Sequence, residues 1–190
     1  MKSFPRTLLV TALANDYGPN GPAIFEADGD GTNITNTHID GNTGAVTTSG
    51  DSGGLIGAVA FFPGGDVPTL LTNSSISNNT MTANAPNGAA EVDGAGLFNN
   101  GPLVVGDSTI SGNRGTATGR SAVGTGGGIA NGLFGGPAPL TLQNSRVINN
   151  VLSGSAGATL SGGGIYTVGF PVTLTSTVVA QNAPDDCEGC

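Results

Sequence analysis

In Leu140-Thr-Leu-Gln-Asn-Ser-Arg-Val-Ile-Asn-Asn150 a short alternating stretch meets an Asn, an apolar stretch follows and a second Asn closes. The pattern recurs as Asn33-Ile-Thr-Asn-Thr-His-Ile-Asp-Gly-Asn42, Leu70-Leu-Thr-Asn-Ser-Ser-Ile-Ser-Asn-Asn79, Val104-Val-Gly-Asp-Ser-Thr-Ile-Ser-Gly-Asn113 and Val172-Thr-Leu-Thr-Ser-Thr-Val-Val-Ala-Gln-Asn182. The closing Asn residues are 37, 34, 37 and 32 positions apart, which is a solenoid period. A Gly-rich run leading into one aliphatic residue precedes the later copies: Gly57-Ala-Val59, Gly94-Ala-Gly-Leu97, Gly126-Gly-Gly-Ile129 and Gly162-Gly-Gly-Ile165, with Pro22-Ala-Ile24 a looser match. Each coil therefore holds three short strands separated by Gly or Asn corners. The fold class expected is all-β, a single parallel β-helix of about five coils over residues 24–190, behind a leading segment over 1–23.

Stacking the coils in register yields three inward columns. They are Ile34, Leu71, Val105, Leu142, Leu174; Ile39, Ile76, Ile110, Val147, Val179; and Ile24, Val59, Leu97, Ile129, Ile165. Every member is aliphatic, as a continuous core requires. Two corner columns accompany them: Asn36, Asn73, Asp107, Asn144, Ser176 and Asn42, Asn79, Asn113, Asn150, Asn182. Asn tolerates left-handed backbone and can hydrogen-bond along a stack, so an Asn ladder is expected inside the corners. The stretches Thr80–Asp93 and Arg114–Thr125 read as surface loops of unequal length, where local function is expected.

Composition narrows the partners. With 5 basic and 13 acidic residues the chain carries −8, so nucleic acid and anionic membranes are poor partners, because both demand clustered Lys and Arg. No apolar run approaches the roughly 20 residues of a membrane-spanning helix. Met1–Ala14 has Lys2 and Arg6 ahead of an apolar stretch ending Ala12-Leu-Ala14. It reads either as a short secretion signal or as the end of a preceding coil, with Asn15 in the closing place. Cys187 and Cys190 are the only cysteines, and they have neither the strand-to-helix setting of a redox motif nor further zinc ligands nearby. A disulfide, with each other or with a partner beyond this stretch, in an oxidising and so extracellular setting is the expectation.

Candidate sites are few. Phe25, Ala60, Phe98, Ala130 and Tyr166 follow the third aliphatic column, so alternation puts them outside, and Phe25, Phe98 and Tyr166 form a candidate ligand-binding aromatic face. Glu26, Asp28 and Asp30 place carboxylates at alternate positions before a Gly, half of an oxygen-ligand Ca²⁺ loop without its downstream bidentate Glu. Beyond Ca²⁺ no cofactor is indicated. Asp40 and Asp107 read as isolated, and Arg146 as a solvated charge.

Gly162-Gly-Gly-Ile-Tyr166, Leu174–Asn182 and Asp107–Asn113 resemble the repeats of right-handed parallel β-helix proteins of the pectate-lyase-like superfamily. Within it they are similar to bacterial surface proteins of the polymorphic outer-membrane and adhesin type. The resemblance covers about residues 24–182. It implies export to the cell surface and a stalk or adhesive surface for glycan or host protein. The alternatives are a polysaccharide lyase or hydrolase of the same fold, with no catalytic residue legible, and a passive spacer. Exposed terminal strand edges make end-to-end association a further expectation.

Overall fold

The computed structural model describes residues 6–7, 11–14, 23–27, 31–49, 52–63 and 65–190. All regular structure among them is β, and every strand pair is parallel. The first sheet stacks Ile24–Ala27, Val59–Phe62, Leu97–Asn99, Ile129–Asn131, Ile165–Thr167 and Cys187–Glu188; the second stacks Asn33–Thr35, Thr69–Thr72, Leu103–Gly106, Leu140–Gln143 and Val172–Thr175. The third stacks Arg6–Thr7, Thr37–Asp40, Ser75–Ser77, Thr109–Ser111, Arg146–Ile148 and Val178–Ala180. Register matches the sequence columns residue for residue: Ile39 on Ile76 on Ile110 on Val147 on Val179, and Ile24 on Val59 on Leu97 on Ile129 on Ile165. The chain is thus a parallel β-solenoid of about four full turns, and the fifth motif copy forms a shortened turn that returns to Cys187.

The stretches read as loops are instead strands of a fourth sheet. Thr80–Asp93 and Arg114–Thr125 pair with each other and with Thr43–Thr47, Ser52–Ile56, Val151–Gly154 and Thr159–Ser161; Thr11–Ala14 lies beyond Thr43–Thr47. Alternation explains the difference. Met81, Ala83, Ala85, Ala90 and Val92 face inward and Thr80, Thr82 and Asn84 outward, so small residues that look like loop composition fill a narrow second lobe. Asn15, and the rest of the leading segment outside residues 6–7, 11–14 and 23, lie beyond those described.

The interior therefore has two compartments. Aliphatic columns of the first three sheets make the larger core, together with Phe61, Leu103 and Leu140. Val46, Leu55, Met81, Val92 and a set of alanines make the smaller. Between them stands a pinch, where Asn113, Asn150 and Asn182 each meet the third residue of a Gly run. A Cβ on Gly96 would lie 2.8 Å from Asn113 Nδ2, and one on Gly128 2.9 Å from Asn150 Nδ2. Closer still is the backbone of the next coil, with Gly128 O 2.7 Å from the Cβ at Gly96 and Gly164 O 2.6 Å from that at Gly128, so the stacked backbone and the ladder together leave no room for a side chain.

The ladder itself is continuous. Asn42, Asn79, Asn113 and Asn150 each donate from Nδ2 to Oδ1 of the next, at 2.8, 2.9, 2.9 and 3.0 Å, ending on Asn182. Each Oδ1 also accepts the preceding Asn backbone N–H, and Nδ2 of Asn79, Asn113 and Asn150 reaches the carbonyls of Ile39, Ile76 and Ile110. Asn182 donates from both nitrogens to Asp186 Oδ1, and a carboxylate, which only accepts, terminates the run. The other corner column is left-handed throughout, with φ of 51, 47, 48, 48 and 48° at Asn36, Asn73, Asp107, Asn144 and Ser176. After it comes a hydroxyl ladder: the backbone N–H groups of Thr37, Ser74, Ser108 and Ser145 donate in turn to Ser74, Ser108, Ser145 and Thr177.

Asn113→Ala orphans Asn79 N–H, the Ile76 carbonyl and part of Asn150 inside the protein, and is expected to cost about 3 kcal/mol or more. Asn73→Ala, at an exposed left-handed corner, is expected to cost only about 1 kcal/mol. Urea unfolding of both variants checks the contrast.

Candidate functional site

Of the aromatic face read from the sequence, Phe25 is 51% exposed, Tyr166 is half-buried, and Phe98 is fully buried although it points outward. Phe98 is covered by two rings that the sequence reading did not include. Phe62 stacks on it with centroids 5.2 Å apart, and Phe134 tilts against it at 5.3 Å. Phe134 gets there because Gly132 and Gly135 turn through φ of 77 and 75° and its N–H donates to Asn100 Oδ1 at 3.0 Å. Phe62 also stacks on Phe134 at 6.0 Å and meets Phe25 at 5.7 Å. The outcome is a strip, Phe25–Phe62–Phe134, resting on Phe98, Ile56, Ala60, Ala130 and Leu133. Phe134 is 63% exposed, so the two ends of the strip present ring faces to solvent. Tyr166 stands apart, in register with Ala130.

Beside the strip lies a pair of carboxyl groups. Glu91 and Asp93 are two residues apart on the outer side of the fourth sheet, and Asp93 pairs in register with Ile56 and Thr125. Glu91 is exposed, whereas Asp93 is 5% exposed and takes a hydrogen bond from Thr125 Oγ1. Burial raises the Asp93 pKa to about 7; the Thr125 bond opposes the shift and the neighbouring Glu91 charge adds to it. The alternation of Glu91-Val-Asp93 could have signalled a shared face, but only with the stretch taken as a strand.

Asp40 is not isolated. Ser75 Oγ donates to its carboxylate at 3.1 and 3.3 Å, and His38 Nδ1 lies 2.8 Å from Ser75 Oγ and 3.8 Å from Asp40. With the single hydroxyl proton committed to Asp40, Nδ1 must be the donor to Ser75. That direction is the reverse of an activated serine nucleophile, whose hydroxyl gives its proton to the ring. Arg146, exposed, sits between Thr109 and Val178.

Glu26 shares the register position of Phe61, and Thr69 Oγ1 donates to its Oε2 at 3.1 Å. Its partners in the proposed Ca²⁺ loop, Asp28 and Asp30, lie outside the described residues, among which no group of three His, Cys, Asp or Glu is placed to hold a metal. Cys187 and Cys190 are bonded to each other, Cα atoms 6.0 Å apart, with Cys187 against the main core. Asp107 occupies its left-handed corner.

Compared with known proteins, the chain matches no family model, no curated protein and no solved structure.

Asp93 carries a pH signature. Its folded-state pKa, about 7, lies above the ordinary value of 3.8, so the folded protein favours the protonated acid. Its contribution is fully present below pH 3.8 and is lost as pH rises towards 7. Asp93→Asn, which still accepts from Thr125, is expected to raise the melting temperature over the parent at pH 8 and to differ little at pH 4. Thermal unfolding of both proteins across that range measures it.

Proposed function

We propose that this chain is a non-enzymatic β-solenoid of an exported surface protein, in which a stiff rod displays the Phe25–Phe62–Phe134 strip to glycan or to a cell-surface protein. The observation that carries the reading is the strip itself: three linked rings, two of them more than half exposed, on a scaffold of stacked coils. Aromatic faces on a rigid base bind apolar faces of sugar rings, or a partner's side chains, with little ordering cost. The −8 charge argues against nucleic acid as the partner. The disulfide supports an oxidising, extracellular location, and the likeness of the repeats to pectate-lyase-like surface proteins supports display at the outer membrane.

A second reading has its own support. A carboxyl group whose pKa burial raises to about 7 is suited to act as the general acid in hydrolysis of a glycosidic bond, and Asp93, two residues from Glu91, pairs in register with Ile56 beneath the strip. Under that reading the chain is a polysaccharide-active enzyme. A passive spacer is the third.

A panel of immobilised glycans and surface proteins, with product release followed in parallel, separates the three. Binding to at least one ligand, weakened about tenfold or more by Phe25→Ala and by Phe134→Ala without release of sugar, is the expected result. Sugar release abolished by Asp93→Asn establishes the enzyme reading in its place. Absence of both across the panel leaves the spacer.

A further inference from the structure

The outer face of the second sheet carries a row of prolines. Pro68, Pro102, Pro139 and Pro171 each stand one place before an inward residue, Thr69, Leu103, Leu140 and Val172, and so stack coil on coil. Two places further on, Leu70, Val104 and Thr141 form a second outward row. A proline gives a parallel ladder no N–H, and two of the carbonyls left waiting are met from inside: Asn99 Nδ2 donates to Gly101 O at 2.6 Å and Asn131 Nδ2 to Ala138 O at 2.8 Å. The carbonyls of Pro102, Pro139 and Pro171 take the N–H groups of Thr69, Leu103 and Leu140. The proline row therefore presents hydrocarbon to the outside. A groove of about 340 Å³ lies on the two rows, with Pro137 and Asp66 also lining it.

We propose that this groove docks an extended basic segment of a partner protein, the aliphatic stem of a lysine lying on the proline row and its ammonium at Asp66. The chemistry of the groove selects that occupant. Thr141 and Asp66 are its polar side chains, so an anionic group would find one hydroxyl donor and an opposing carboxylate. A lysine finds a carboxylate for its head and an apolar wall for its stem. Asp66 is exposed and has no ion pair among the described residues. The described arginines, Arg6, Arg114, Arg120 and Arg146, belong to the third and fourth sheets, so the second sheet supplies Asp66 no counter-charge. The whole chain, at −8, attracts a basic partner. A protein segment fits better than a free amine. Pro68, Pro137 and Pro139 are exposed, so the groove is too open to enclose a small molecule, and both rows continue to Pro171 and Thr173, where an extended chain can follow. No ring of the aromatic strip lines the groove, so the two surfaces are tested separately.

The experiment is an NMR titration of the full chain, followed at the amides of Asp66, Val104 and Thr141, with an acetylated and amidated pentapeptide that has lysine at its centre and alanine on either side. Saturable shifts with a dissociation constant of about 1 mM or tighter are expected, weakening as salt is added. Norleucine in place of the lysine is expected to bind about two- to fivefold more weakly, and glutamate to give no saturable shift. Asp66→Asn is expected to weaken the lysine peptide about two- to fivefold. Val104→Arg, on the outward row, is expected to weaken it about tenfold or more, with the melting temperature of both variants that of the parent. No saturable shift, a norleucine or glutamate peptide that binds as well as the lysine one, or binding indifferent to salt or to either variant overturns the proposal. Butylamine binding as tightly as the peptide assigns the groove to a free amine and overturns the protein partner.

Discussion

The rest of the structure depends on a single column of carboxamides. Asn42, Asn79, Asn113, Asn150 and Asn182 sit where the backbone turns inward, and each Oδ1 from Asn79 onward takes the N–H groups that the preceding coil would otherwise bury without partners. The arrangement sets register more strictly than the hydrophobic columns do. An aliphatic side chain tolerates a slip if another aliphatic arrives, but a slipped ladder leaves several buried amides unpaired in each coil. The Gly runs belong to the same constraint, since their third positions close against the ladder.

That pinch shapes what the molecule can present. Dividing the interior lets the fourth sheet fold out as a thin lobe filled mainly by alanines with Val46, Leu55, Met81 and Val92, while the first three sheets enclose a conventional aliphatic core. Where the lobe returns to the first sheet, Ile56 and Asp93 come beside Phe98 and the rings that cover it. The aromatic strip and the carboxyl pair are adjacent for that reason, although the residues come from different coils. On the third sheet the outer face carries short hydroxyl side chains, and His38, Ser75 and Asp40 satisfy one another there.

Much of this was legible in the sequence, and the boundary of legibility has physical causes. Period and alternation together gave the three aliphatic columns and the Asn ladder, because a solenoid repeats one environment along one axis. The hydroxyl ladder was equally readable: Thr37, Ser74, Ser108, Ser145 and Thr177 each follow a corner residue. The inward position of Glu26 follows from its sharing a strand face with Ile24. What could not be read was the lobe. Thr-Ala-Asn-Ala and Gly-Thr-Ala-Thr-Gly carry the composition of loops, and their alternation has meaning only once a narrow space lined mostly by alanines is known to exist. Phe134 was hidden for another reason, since its place on Phe98 is set by two left-handed glycines that no repeat predicts.

Hydrogen exchange followed by NMR, on the side-chain carboxamides of the ladder, tests the central claim most directly. Those of Asn79, Asn113 and Asn150 are expected to exchange only with global unfolding, with protection falling toward the partly exposed Asn182. Carboxamides at these positions that exchange as fast as those of the exposed corner residues Asn73 and Asn144 would contradict it.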